Sequence, residues 1–326
     1  AFSDKNAGSG KTVTVTDITA SGTDAANYSI NSSATDLADI AKLGITIAAA
    51  ADDKVYDASI DAMVTLTSSE IFADDEVNFT GTGAFSDKNA GTGKTVIVTG
   101  ISADGLDAGN YSFNTSATDV ADISQLGITV AATADNKVYD ATTEATAALA
   151  SSDILSTDDV SFTGSGSFDT KNVGTDKTVT VTGISASGDD AGNYSFNTSA
   201  TDLADISQLG ITIAATASDK VYDATTEAAA TLASSGILGT DDVSFLGTGT
   251  FNDKNAGTGR TVTVTGITAD GTDADNYSFN TIATDLADIS PSTLTITTSD
   301  VSKTYDGDLS AAGTATVTSG TVFEGD

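Results

Sequence analysis

An internal repeat of 83 residues constrains this 326-residue chain more than any other feature, because near-identical tandem units must fold alike and each can bury only a small core. Tyr56, Tyr139, Tyr222 and Tyr305 stand in KVYDA, KVYDA, KVYDA and KTYDG, each step being 83 residues. Tyr28, Tyr111, Tyr194 and Tyr277 repeat inside NYSI or NYSF, and Phe2, Phe85, Phe168 and Phe251 each precede a version of SDKNAG. No insertion or deletion interrupts the period as far as Tyr305. Residues 127–209 and 210–292 are identical at 61 of 83 positions, which points to a mechanical or multivalent role rather than one specific cleft. The period divides the chain into the C-terminal part of a repeat (1–43), full repeats at 44–126, 127–209 and 210–292, and the N-terminal part of another (293–326). By plain offset residue 1 aligns with Ala84 and Asp326 with Val243, inside an expected strand or its turn, so an excerpt of a longer array is expected.

Composition removes most chemistries. With no His, Cys or Trp, the chain cannot build a His-based triad, a thiol nucleophile, a disulfide or the usual zinc and haem sites. Its 46 acidic against 13 basic residues, a net charge of −33, argue against nucleic acid and anionic membranes, whose phosphates need clustered Lys and Arg. No apolar run of about 18 residues is present for a membrane span, so this stretch is not membrane-spanning, and any export signal lies outside it. High charge could leave such a chain disordered, but regular alternation and abundant Val, Ile and Thr favour strands.

In one repeat, 128–134 reads as a first strand, followed by KVYDA at 137–141 and an Ala-rich run at 145–150 that fits a strand or one helical turn. DDVSF sets Val160 and Phe162 on one face with Ser161 opposite. Gly164 and Gly166 loosen the far end of that strand, and residues 169–174 read as a turn. Val179 and Val181 share a face in KTVTVTGI, and a bulge at Gly183 would return Ile184 to the core side. A Gly- and Asp-rich loop then leads to Tyr194 and Phe196, and TDLADI at 201–206 closes the unit. Six or seven short strands with regular turn signals predict an all-β tandem array of immunoglobulin-like β-sandwich modules. Tyr194, four residues after Asp190, is expected to form a tyrosine corner with nearby backbone, and Phe196 to supply aromatic packing where antibody domains carry a Cys. Only Ser207, Gln208, Leu209 and Gly210 separate Ile206 from Ile211, which favours end-to-end joints. Strands of about 10 residues give about 35 Å per unit and about 100 Å for three.

At KVYDATTEA, DDVSFTGSGSF, DTKNVGTDKTVTVTGI and DDAGNYSFNTSATDLADI the chain resembles the YDG repeat, related to MBG domains, of very large bacterial surface adhesins. The resemblance implies an exported, filamentous-haemagglutinin-like protein whose tandem β-rich modules form a stalk at the cell surface or in a secreted matrix. Only Gly307 keeps the literal YDG. Ala58, Ala141 and Ala224 replace that Gly, and their Cβ predicts that the left-handed conformation is avoided there.

Calcium is the one cofactor the composition invites, since Asp outnumbers Glu 41 to 5. The candidate ligands are the period-matched pairs Asp75 with Glu76, Asp158 with Asp159, and Asp241 with Asp242, followed by the loop acids Asp107, Asp190 and Asp273. Solvated turn carboxylates are the competing reading. Lys171 beside Asn172 suggests an isopeptide crosslink, against which stands a solvated Lys pairing with surface Asp. Tyr56, Tyr139 and Tyr222 read as core or junction residues, and the Thr of TVTVT as the solvent side of a strand. No catalytic constellation is found, and no enzyme is expected. The expected function is a structural stalk or fibre segment projecting a distal head. The alternative is a multivalent array whose partners, beyond the neighbouring repeats, are surface glycans or other copies of itself, including strand-exchange polymers.

Overall fold

The computed structural model describes residues 1–326, which fall into two compact units. One comprises 1–131, 149–164 and 183–198, the other 132–148, 165–182 and 199–326. The division runs through the repeat 127–209, so every joint between successive repeats lies within a unit.

In the first unit, repeat 44–126 carries a five-stranded mixed sheet in the order Lys54–Val55, Ser116–Ser124, Gly91–Asp104, Asn78–Phe85, Asp61–Ala62. Lys54–Val55 runs parallel to its neighbour, and the other contacts are antiparallel. A separate antiparallel ribbon pairs Ala48–Ala51 with Val64–Thr67. The second unit repeats this arrangement in 210–292, with Lys220–Val221, Ile282–Ser290, Gly257–Asp270, Ser244–Phe251 and Glu227–Ala228 in the sheet and Ala214–Ala217 with Ala230–Ala233 in the ribbon. The chain is therefore all-β, with eight strands between Ala48 and Ser124 where six or seven were expected. The Ala-rich run is strand, as Glu144–Ala145 and Ala147–Ala150. No helix is long and apolar enough to cross a membrane.

The alternation of TVTVT sets the sheet's inner face. Val96, Val98, Val262 and Val264 are buried, while Thr99 and Thr265 face out. The bulge is present. Gly100, Gly183 and Gly266 have φ of 65°, 64° and 64°, and the ladders slip between Thr80 and Thr82 and between Leu246 and Thr248. That extra residue turns Ile101, Ile184 and Ile267 into the core.

Three local expectations are corrected. The stretch 128–134 is strand only over Ala131–Ala134, because between it and the preceding short strand Leu126–Gly127 the Ile128 N–H donates to the Ser195 carbonyl and the Val130 N–H to Asn197 Oδ1 at 2.8 Å. A side-chain amide takes over there from the ladder. Gly166 does not loosen a strand end: a Cβ placed on it would come within 2.6 Å of the Ala145 carbonyl oxygen, so Gly is what permits that close pairing. Ala58, Ala141 and Ala224 do adopt the left-handed region, at φ of 63°, 64° and 63°, beside Gly307 at 77°.

The turn itself explains the last result. Lys137 Nζ donates to Asp140 Oδ1 and to the carbonyls of Thr142 and Glu144, and Asp140 Oδ1 accepts from the Thr142 N–H. The same net surrounds Ala58 through Lys54 and Asp57, and Ala224 through Lys220 and Asp223. A left-handed Ala costs about 1–2 kcal/mol, which several such bonds offset, and the methyls of Ala58 and Ala141 pack on buried cores.

Those cores do not stop at repeat boundaries. Tyr56, Phe85, Val96, Ala121 and Ile123 of one repeat form a single buried cluster with Ile128 and Tyr194 of the next. In the second unit Tyr139, Phe168, Val179, Ala204 and Ile206 join Tyr277 in the same way.

Candidate functional site at the repeat joints

Charged and phenolic groups of successive repeats converge at these joints. In the first unit a turn closes when the Asp158 N–H donates to the Leu155 carbonyl, and it aims the Asp158 carboxylate, whose side chain is 0% exposed, into the joint. Tyr56 of the preceding repeat and Tyr194 of the same repeat both donate their hydroxyls to Asp158 Oδ2, at 2.8 and 2.6 Å. Lys88 of the preceding repeat donates to Oδ1 at 3.0 Å and also pairs with Asp190 at 2.7 Å. The two tyrosine rings meet edge to face with centroids 5.6 Å apart, and the Lys88 ammonium lies 5.9 Å from the Tyr56 centroid.

The second unit builds the same joint around Asp241. Tyr139 and Tyr277 donate to Oδ2 at 2.7 and 2.7 Å, and Lys171 bridges Asp241 and Asp273 at 2.8 and 2.8 Å. Where 1–43 meets 44–126, Asp75 accepts from Tyr111 at 2.7 Å and from Lys5 at 2.9 Å. Where 210–292 meets 293–326, Tyr222 donates to Asp326 at 2.6 Å and stacks edge to face on Phe323. Plain offset had matched Asp326 to Val243. The bond from the Asp326 N–H to the Phe323 carbonyl mirrors that from Asp241 to Leu238, so Asp326 corresponds to Asp241 and two residues have been inserted after Tyr305.

Burial would raise the Asp158 carboxyl, but the bonds from Tyr194, Tyr56 and Lys88 outweigh it and hold the group below the ordinary carboxylate range. Asp241 behaves alike, with burial opposed by Lys171, Tyr277 and Tyr139. Bonds to Asp190, Asp158 and Tyr56 raise Lys88 well above its ordinary value. Burial and then the Asp158 carboxylate push Tyr194 up to about 12, and burial with Asp241 does the same to Tyr139.

The acid pairs are thereby separated. Asp75, Asp158 and Asp241 turn inward, whereas Glu76, Asp159 and Asp242 are exposed and are held by their backbone N–H groups, which donate to Asp107, Asp190 and Asp273 at 3.1 Å in each copy. The first acids and the loop acids meet around a lysine, and no group of three or more acidic side chains gathers at one point. The Asp158 carboxylate already accepts from an ammonium 3.0 Å away and from two phenols.

Lys171 does not pair with a surface Asp: its own side chain is 35% exposed, but the Asp241 side chain it meets is 3% exposed. Its neighbour Asn172 faces Asn276 instead. Tyr194 departs from the expected corner: its oxygen accepts from the Leu155 N–H at 3.1 Å, and its proton goes to Asp158 rather than to upstream backbone. Phe196 does pack edge to face on Phe162, with centroids 5.4 Å apart. The lock residues that sequence reasoning passed over are Asn193 and Asn276, buried, which accept from the Ala90 and Val173 N–H groups of the preceding repeat. Gln125 and Gln208 add donations across the same joints to the Gly192 and Asp275 carbonyls. The recurring Asn of NYSF was the available signal.

No curated relative matches the chain. The YDG domain matches residues 1–36, 41–119, 124–202 and 207–284, most of the length, and the chain belongs to that family as four tandem copies.

Proposed function

We propose that this chain is a non-catalytic stalk or fibre segment of an exported bacterial adhesin or matrix protein, placed at the cell surface or in the surrounding matrix to project a distal head. The observation that carries the reading is the joint. Its buried Asp, two Tyr and bridging Lys are spent on locking one repeat to the next, which is what a structural array needs and a binding cleft does not. The net charge of −33 suits such a role by opposing lateral collapse. In this reading each mixed sheet and its ribbon form an immunoglobulin-like sandwich. Small-angle scattering on residues 44–292 tests it: a stiff particle of about 100 Å or more, unchanged by calcium or chelator, is expected. A compact or broadly flexible particle would reject it.

The alternative, a weak multivalent array for glycans or other copies, draws support from the outward threonine rows. Thr250, Thr263 and Thr284 stand side by side on neighbouring strands. Retention of the chain on a glycan array would favour that reading.

A further inference from the structure

We propose that the tyrosine pairs at the joints are sites of oxidative cross-linking, at which a one-electron oxidant couples Tyr56 to Tyr194 and Tyr139 to Tyr277. The chain has no Cys, Trp or His and a single Met, so tyrosine is the side chain on which oxidising equivalents settle. Of its eight tyrosines, four are held in two edge-to-face pairs with ring centroids 5.6 Å apart. Both phenols of a pair donate to one carboxylate oxygen, Asp158 Oδ2 or Asp241 Oδ2, which draws their oxygen ends together. A phenol that loses an electron becomes a strong acid, and here its proton has an acceptor already in hydrogen-bond contact.

The coupling balances with an oxidant of stated class, a peroxidase ferryl haem or a photo-excited metal complex. Each phenol gives up one electron to the oxidant and its hydroxyl proton to the carboxylate, and thence to water. The two phenoxyl radicals form a carbon–carbon bond between ring positions ortho to oxygen. The two ortho hydrogens then move to the oxygens and restore the phenols. The product is dityrosine, lighter than the two tyrosines by two hydrogens. Because the partners belong to successive repeats, the bond would staple those two joints covalently. A link from 56 to 194 closes a loop of 138 residues.

The chain carries its own comparators. Tyr222 makes the same contact with Phe323, centroids 5.6 Å apart, and Phe has no phenolic proton to lose. Tyr28 and Tyr305 are exposed and report whether the oxidant reached the protein. The test irradiates the dilute full chain with tris(bipyridine)ruthenium(II) and persulfate, then digests it and maps linked peptides by tandem mass spectrometry. Expected are intramolecular Tyr56–Tyr194 and Tyr139–Tyr277 peptides, each two hydrogens lighter than the sum of its parts, with dityrosine fluorescence and no corresponding link at Tyr222. Tyr56→Phe, which keeps the ring, removes the first link and leaves the second. Oxidation of Tyr28 and Tyr305 with both pairs unlinked would overturn the proposal, as would links that form only between molecules.

Discussion

Replacing Asp158 by Ala is the most direct probe of the joint. The substitution takes the acceptor from two phenols, and it leaves Lys88 with Asp190 alone. Removing one partner of a buried charged network costs about 3–5 kcal/mol. Lys88 keeps a second carboxylate and is 34% exposed, so the lower end, about 3 kcal/mol, is expected. Asp158→Asn keeps the shape and one acceptor oxygen for the phenols but turns an amide donor toward Lys88, so about 1–2 kcal/mol is expected. Because coupled repeats need not unfold in one step, amide hydrogen exchange at the joint is a better readout than a single melting temperature. The reporters are the Leu155 N–H, which donates to the Tyr194 hydroxyl, and the Ala90 N–H, which donates to Asn193. For Asp158→Ala their exchange should quicken roughly hundredfold. The control is Asp159→Ala, an exposed neighbour expected to change stability by no more than about 0.5 kcal/mol. If the two Ala variants exchange alike, the joint is not held by this carboxylate and the reasoning fails.

Acid should loosen the joints only below the ordinary carboxylate range. The depressed Asp158 and Asp241 contribute stability that is present above the unfolded value of about 3.9 and is lost as pH falls through their lower folded values. With no His, exchange-derived stability should be flat between about pH 5.5 and 8, and a step inside that interval would contradict the assignment. At the other extreme, Tyr139 and Tyr194 are raised to about 12, so they favour folding below about pH 10 and that contribution disappears toward 12. Phenolate absorbance should accordingly show a late phase that coincides with loss of near-ultraviolet dichroism. Gly188→Ala should cost about 3 kcal/mol or more, because φ is 116° and the new Cβ would lie 2.2 Å from the Asp159 carbonyl oxygen. Gly183→Ala, left-handed but with open space around it, should cost only about 1–2 kcal/mol, and equal effects in urea titrations would discount the clash. Isothermal titration with calcium should give no saturable heat, and stoichiometric binding abolished by Asp159→Ala would restore the acid pair as ligands.

Much of this protein is legible in its sequence because the signals are local and repeated. The 83-residue period, the burial of Val179 and Val181, the bulge at Gly183 and the in-out alternation of Val160, Ser161 and Phe162 each follow from side-chain alternation and turn chemistry within a few residues, although the strand expected over DDVSF starts only at Ser161. The near-continuity of one repeat into the next was equally plain, since a single residue, Gln208, separates strands Ser199–Ser207 and Leu209–Ile211. What tertiary structure alone decided is the fate of the charges. Asp158 and Asp159 are adjacent and chemically identical, yet one is buried under two phenols and an ammonium and the other lies in water. That choice depends on Tyr56 and Lys88, which stand 102 and 70 residues away. The left-handed Ala141 has the same origin, because its backbone cost is offset by a lysine and an aspartate closing over the turn and by a core reached only after folding. A pattern within one repeat encodes strands, but the lock between repeats is a set of partners no single repeat contains.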